Sequence, residues 1–281
     1  MKKIILTSVF VCLCGSFAFS QGFYKLDFSD EFQGTSLDST KWAYQIGTGD
    51  NGNFGWGNNE KQYYTRENTR VEGGYLIITG KRESKGGMSF TSSRLRTHSK
   101  YATTYGRIEA RISLPVEPGM WPAFWMMPEK SIYGGWAASG EIDIMEAKGR
   151  LPNQYGGALH FGGGWPKNSF LTTGDYRFKN GETIEEFHVY AVEWKEGDIA
   201  WYCDGNLVGR HTAGWFSTAK EFPAPFDQDF HILLNLAIGG NFDRGVEPST
   251  SWTSGEMKVD YVRVYKWSDT LTEPEVPTNG I

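Results

Sequence analysis

Cysteine is nearly absent from this chain, with three in 281 residues. Two of them, Cys12 and Cys14, fall in an N-terminal stretch that reads as a leader, so only Cys203 remains and no intramolecular disulfide can form. Runs of Lys and Arg are missing, and the formal net charge is −5, which makes nucleic acid and anionic membrane surfaces poor partners. Helical periodicity is weak throughout, which argues against a bundle. His98, His188, His211 and His231 fall at no metal-ligand spacing and are assigned no role. After the N-terminal stretch no second apolar run of 18 or more residues occurs, so no membrane association is expected once the leader is gone.

The leader itself is legible. Lys2 and Lys3 precede an apolar run from Ile4 to Phe19, and Ala18-Phe19-Ser20 has the small-x-small form of a signal-peptidase site. Residues 1–20 are therefore expected to be a signal peptide, with Gln21 the mature start and a secreted or periplasmic destination. Anchoring as a lipoprotein through Cys12 or Cys14 is disfavoured, because Val11 and Leu13 stand where a small residue is needed. Without Lys2 and Lys3, 26 basic residues face 33 acidic ones, a balance of −7. Stability must come from the core, and a chain of this size buries about 70–75% of its surface on folding.

What is abundant is glycine, with 35 residues, and tryptophan, with 11. Strand signals dominate. In Arg107–Ile112, Ile108, Ala110 and Ile112 alternate with charges. Further runs are Tyr75–Thr79, Phe187–Trp194, Ile199–Cys203, Phe230–Ile238 and Met257–Tyr265. Asp204-Gly205 separates two such runs and predicts a two-residue hairpin turn, whose central residues need positive φ. Ile184–Phe187 reads as a turn. Many short strands without long helices indicate an all-β sandwich in one domain, residues 21–267, followed by a loose tail over 268–281.

The chemistry concentrates in Gly140-Glu141-Ile142-Asp143-Ile144-Met145-Glu146. On a regular strand Glu141 and Asp143 share a face and Glu146 points away. One extra residue, a β-bulge between Asp143 and Glu146, returns Glu146 to the shared face. The two glutamates would then stand about 13 Å apart at Cα, at ~3.3 Å per step. Side chains leaning inward could bring the carboxyls to about 5 Å, the separation used by retaining glycosidases. Like charges on one strand face repel, so stability alone gives no reason to stack three.

This segment resembles the catalytic signature Glu-x-Asp-x-x-Glu of glycoside hydrolase family 16, in the bulged form of its laminarinases, the endo-β-1,3-glucanases. The similarity extends in order through Trp56-Gly57-Asn58-Asn59-Glu60, Tyr63-Tyr64-Thr65, Thr91–Leu95, Tyr105–Arg111, Trp121–Pro128, Leu234–Gly240 and Val259–Tyr265. It implies a β-jelly-roll sandwich of the concanavalin A type, with a glycan cleft across its concave sheet. Glu141 would be the nucleophile, Glu146 the acid/base, and Asp143 a hydrogen-bonding partner of the nucleophile. Three acids in one cleft cannot all ionise cheaply, so at least one pKa should rise.

The resemblance further implies Trp121, Trp125 and Trp136 as sugar platforms. Phe124 and Trp125 alternate, so only one of the two can face the cleft. Trp42, Trp194 and Trp267 read as packing residues. Asn59 and Arg94 would hydrogen-bond sugar in the non-reducing half, and His160 would stand close to the acid/base. A structural Ca²⁺ would be held by Asp260 with backbone oxygens near Glu31 and Gly74. No catalytic cofactor is implied, the partner is a β-1,3-glucan, and a monomer is expected. Mixed-linkage glucan, agar and carrageenan are alternative substrates. Sulfated galactans would favour a basic cleft, whereas residues 115–146 hold only Lys130. A non-catalytic β-glucan recognition module would typically lack the two glutamates that are present here.

Overall fold

A computed structural model describes residues 23–50 and 52–268. The expected signal peptide and tail lie outside the described residues, except Ser268, which ends a strand. Among the described residues, eighteen strands form two sheets. One has ten strands, ordered Asn206–His211, Asp198–Cys203, His188–Lys195, Gly106–Ser113, Ser254–Ser268, Tyr75–Lys81, Phe90–Ser92 and Gln62–Tyr64, with Phe23–Asp30 and Thr69–Glu72 joined at its side. The other has eight: Asn168–Thr172, Gln154–Gly162, Glu141–Glu146, Met120–Pro128, Phe230–Ile238, Arg94–Arg96 and Ala43–Tyr44, with Tyr176–Arg177 off Gln154–Gly162.

The core lies between the sheets and follows from alternation. Ile108, Ala110 and Ile112 leave the ten-stranded sheet and are fully buried. Phe124, Met126, Ile142, Leu234 and Leu236 meet them from the eight-stranded sheet. Along Phe230–Ile238 every even-numbered residue joins this core, while His231, Leu233, Asn235 and Ala237 point to the opposite face. Phe124 takes the inward place and Trp125 the outward one, as alternation requires. Trp42 and Trp194 are core residues, and Trp267 packs edge-on against Tyr24 at the surface.

The hairpin turn has the expected signs, with φ of 48° at Asp204 and 76° at Gly205. The run Met257–Tyr265 proves to be part of a fifteen-residue strand, Ser254–Ser268. It extends because it pairs with three partners, Phe23–Asp30, Tyr75–Lys81 and Gly106–Ser113. Asn168–Thr172, outside the strand runs read from the sequence, is an edge strand paired back onto Gln154–Gly162.

Candidate active site

The strand Glu141–Glu146 sits between Met120–Pro128 and Gln154–Gly162, and its register shifts against both neighbours after Asp143. The apolar residues explain the shift. Ile142, Ile144 and Met145 all belong to the core, and a regular strand cannot send two consecutive side chains to one side. An extra residue solves this and turns Glu141, Asp143 and Glu146 to the outer face together. The bulge is fastened from across the core. Trp201, on the ten-stranded sheet, donates its indole N–H to the Asp143 carbonyl at 2.8 Å. Gly157 makes room, since a Cβ there would lie 2.6 Å from the Trp201 ring.

Each carboxylate has its own partner. Trp136 donates to Glu141 Oε2 at 2.7 Å, and Trp121 donates to Glu146 Oε1 at 2.9 Å. His160 stands directly across from Glu141. Its Nε2 is 3.3 Å from Asp143 Oδ2 and 3.9 Å from Glu141 Oε1. The expectation that His160 lies by the acid/base is therefore corrected: cross-strand register puts it on the Glu141 side.

Burial and the neighbouring Asp143 charge push the Glu141 and Glu146 carboxyls up to about 8. Burial pulls His160 down, but contact with Asp143 and the two glutamate charges outweigh it and raise the imidazole to about 9. The Glu141 charge also raises the Glu146 carboxyl. Charge is better supported on Glu141, where His160, the Trp136 N–H and Arg94 all favour the anion. Glu146 has the Trp121 N–H and weaker help from His160. One carboxylate held as anion beside one held protonated is the requirement for nucleophile and general acid.

The expected binding residues divide. Trp121 and Trp125 both face outward beside the acids. Trp121 is stacked on Phe242 at 4.9 Å, and Trp125 donates to Asn235 Oδ1 at 2.7 Å. Arg94 is no surface charge: its guanidinium lies between Trp56 at 4.5 Å and Trp125 at 4.7 Å, with Nε donating to Gln45. Asn59 is exposed, with φ 56°, and its amide donates to Asn241, next to Phe242. Trp136 is exposed and adjoins Trp165 and His160, while His160 also adjoins Phe170. A pocket of about 150 Å³ opens beside Glu146, bordered by Lys148, Gln154 and Phe242.

Sequence reasoning missed a buried relay behind Trp125. Asn235 accepts from Trp125 and donates to the Tyr64 hydroxyl, Tyr64 donates to Glu60, and Gln62 donates to Glu60 at 2.6 Å. Burial raises the Glu60 carboxyl, while Arg94 and these donors pull the other way. The available signal was Asn235, a lone amide within the apolar run Phe230–Ile238.

Of the residues expected at calcium, Asp260 lies in the strand Ser254–Ser268, Glu31 directly follows Phe23–Asp30, and Gly74 lies in the turn between Thr69–Glu72 and Tyr75–Lys81. Asp260 occupies the register shift between Val259 and Tyr261, and its Oδ2 accepts from Arg111 at 2.7 Å. The Glu31 carboxylate is held by Arg263 at 2.9 and 2.8 Å, so only its carbonyl is left for a metal, and Gln33 reaches that at 3.2 Å. A Cβ at Gly74 would lie 3.5 Å from the same Gln33 amide. These oxygens fit calcium's preference in kind, with Arg111 already opposing the one carboxylate.

Two packed sheets with three acids on the outer face of one bulged strand, flanked by indoles, define a glycosidase of the jelly-roll class. The sequence pattern of the beta-porphyranase A–D GH16 domain matches residues 25–267, and the chain belongs to glycoside hydrolase family 16. It is 46% identical to the glucan endo-1,3-beta-glucosidase A1 of Niallia circulans over 86% of this chain, although it spans only 38% of that protein. It is 42% identical to a beta-glucanase of Rhodothermus marinus, covering 87% of this chain and 86% of the relative. The endo-beta-1,3-glucanase of Pyrococcus furiosus superposes with a TM-score of 0.77 at 35% identity, over 87% of this chain and 95% of that one.

Proposed function

We propose that the protein is a secreted endo-β-1,3-glucanase that cleaves laminarin-type glucan by retaining double displacement. The observation that carries this is the bulged strand, which presents Glu141, Asp143 and Glu146 on one face with an indole N–H on each outer carboxylate. Glu146 gives its proton to the glycosidic oxygen as the bond to the leaving sugar breaks. Glu141 attacks the anomeric carbon from the other side and forms a glycosyl ester. Glu146, now ionised, takes a proton from water, which displaces Glu141 and restores the original β configuration. Asp143 stays paired with His160, so the developing charges meet a balanced neighbour. No step needs a cofactor.

Aromatic faces at Trp121, Trp125, Trp136 and Phe242 suit neutral sugar rings. The family pattern that matches is described by porphyran, a sulfated galactan, and that substrate is the second reading. The cations beside the cleft argue against it. Arg94 lies between two indoles, and Lys148 sits over the Phe242 ring at 4.4 Å. A Ca²⁺ on Asp260 and the carbonyls of Glu31 and Gly74 belongs to the proposal as a structural element. Chelator should then lower the thermal midpoint, and an unchanged midpoint removes the ion. Export through the leader at residues 1–20 is checked by the mass of the mature chain.

The deciding assay is reducing-end release on laminarin, lichenan, agarose and porphyran, with Glu141→Gln as control. Laminarin should be cleaved fastest, with β-anomer formed first by proton NMR. Porphyran cleavage without laminarin cleavage selects the second reading. Glucan binding without hydrolysis makes the protein a recognition module.

A further inference from the structure

Histidines that spacing arguments pass over are brought together by the fold. His98 follows the strand Arg94–Arg96, Glu129 follows Met120–Pro128, and His231 stands near the start of Phe230–Ile238. One ligand atom from each lies within 4.8 Å of the other two. His231 Nδ1 is 3.4 Å from Glu129 Oε2, and His98 Nε2 is 3.9 Å from Glu129 Oε1. His231 lies four residues from Asn235 on the same strand face, about 13 Å along the strand at ~3.3 Å per residue. The cluster is therefore separate from the three acids.

Two features point to a cation site. His231 Nδ1 and Glu129 Oε2 are both buried and have no hydrogen-bond partner, yet they face each other, on a histidine side chain that is only 6% exposed. A cation between these two atoms would give each a partner. The other ligands are already oriented. Ser99 N–H donates to Glu129 Oε1 at 2.9 Å, and Ser99 Oγ lies 3.1 Å from His98 Nδ1, leaving His98 Nε2 turned to Glu129.

We propose that His98, Glu129 and His231 form a binding site for a divalent transition-metal ion of the zinc type. Two imidazoles and one carboxylate are a nitrogen–oxygen set suited to zinc and unsuited to calcium. Ligand bonds of about 2.0–2.1 Å place tetrahedral ligands about 3.3–3.5 Å apart, and the His231–Glu129 distance already has that value. Water takes the fourth position, since His98 opens to solvent. The ion ties together the ends of three neighbouring strands of the cleft sheet. The nearby Arg96 charge weakens binding, so a moderate affinity is expected.

The test is titration of the chelator-stripped full chain with Zn²⁺ by calorimetry, and with Co²⁺ by visible absorption. One ion per chain, a tetrahedral cobalt band and a raised thermal midpoint are expected. His98→Ala and Glu129→Gln, at partly exposed positions, should each weaken zinc binding about tenfold or more while leaving the fold and glucan hydrolysis intact. Glu141→Gln separates this site from the carboxylates of the cleft and should bind zinc as the parent does. No uptake at about tenfold metal excess overturns the proposal. So does binding that survives His98→Ala but is lost in Glu141→Gln.

Discussion

Two strands of this sandwich each carry three charged side chains on one outer face, and they handle charge in opposite ways. In Gly106–Ser113, Arg107, Glu109 and Arg111 alternate in sign. Arg107 reaches Glu109 at 2.8 Å and Glu193 at 3.1 Å, and Arg111 reaches Asp260 at 2.7 Å. Burial works against the Arg107 charge, yet the two carboxylates hold its pKa above the ordinary value. In Glu141–Glu146 all three charges have one sign, the strand is bulged, and both outer carboxyls are raised. A face built only for stability pairs its charges. A face that keeps like charges together in a desolvated cleft gives up stability, and gains groups that exchange protons near neutral pH.

The sharpest break of this comparison is removal of the unpaired acids. Glu141→Gln and Glu146→Gln should each lower kcat on laminarin by about 10²–10⁴-fold or more with the fold kept, as circular dichroism would show. Loss of less than tenfold in both would move the chemistry to another site.

Next come the indoles, which make the two glutamates unequal. Trp136→Phe keeps an aromatic face and removes the N–H that supports charge on Glu141. A hydrogen bond to a charged group is worth about 1.5–3 kcal/mol, so kcat should fall about 10–100-fold. Trp121→Phe removes the N–H from Glu146, whose protonated form is the working one, and should cost less. Equal losses, or the reverse order, would contradict the assignment of nucleophile and acid.

The pH dependence refines it further. Glu146 is protonated below its raised value, so kcat/KM should fall as pH rises through about 8. His160, charged up to about 9, lowers the Glu141 pKa. His160→Gln removes that help, so the acid limb should move to higher pH, with a several-fold loss at pH 6 and a smaller one at pH 8. An unmoved acid limb would show that His160 does not act on the nucleophile.

How much of this was legible depended on whether a feature is local. The alternation in Arg107–Ile112 and the Asp204-Gly205 turn concern neighbouring residues, and the fold keeps both. The bulge was legible because three acids would otherwise not share a face, and the pattern of Ile142, Ile144 and Met145 demands it independently. Long-range pairings were not legible. Tyr64 meets Asn235 across 171 positions, and the relay to Glu60 depends on that meeting. The side of the cleft that His160 serves follows from cross-strand register, which spacing within one strand does not contain. Asn168–Thr172 escaped notice because an edge strand with half-exposed residues has little hydrophobic contrast.

The smallest effect on turnover, and the clearest separation of the two strands, comes from comparing stabilities. Glu109 is buried beside Arg107, so Glu109→Gln leaves that cation with Glu193 alone and should destabilise by about 1–3 kcal/mol with kcat unchanged. Glu141→Gln should do the opposite. Its carboxyl binds a proton more tightly in the folded chain than in the unfolded one, so its favourable contribution is complete below about pH 4.5 and is lost as pH rises through about 8. Replacing it with a neutral amide removes that loss. The variant should therefore melt higher than the parent at pH 9, with the gap narrowing towards pH 5, while hydrolysis is abolished. Melting curves at the two pH values decide the matter. If Glu141→Gln is the less stable protein at pH 9, its charge is paired as well as that of Glu109, and the contrast between the strands fails.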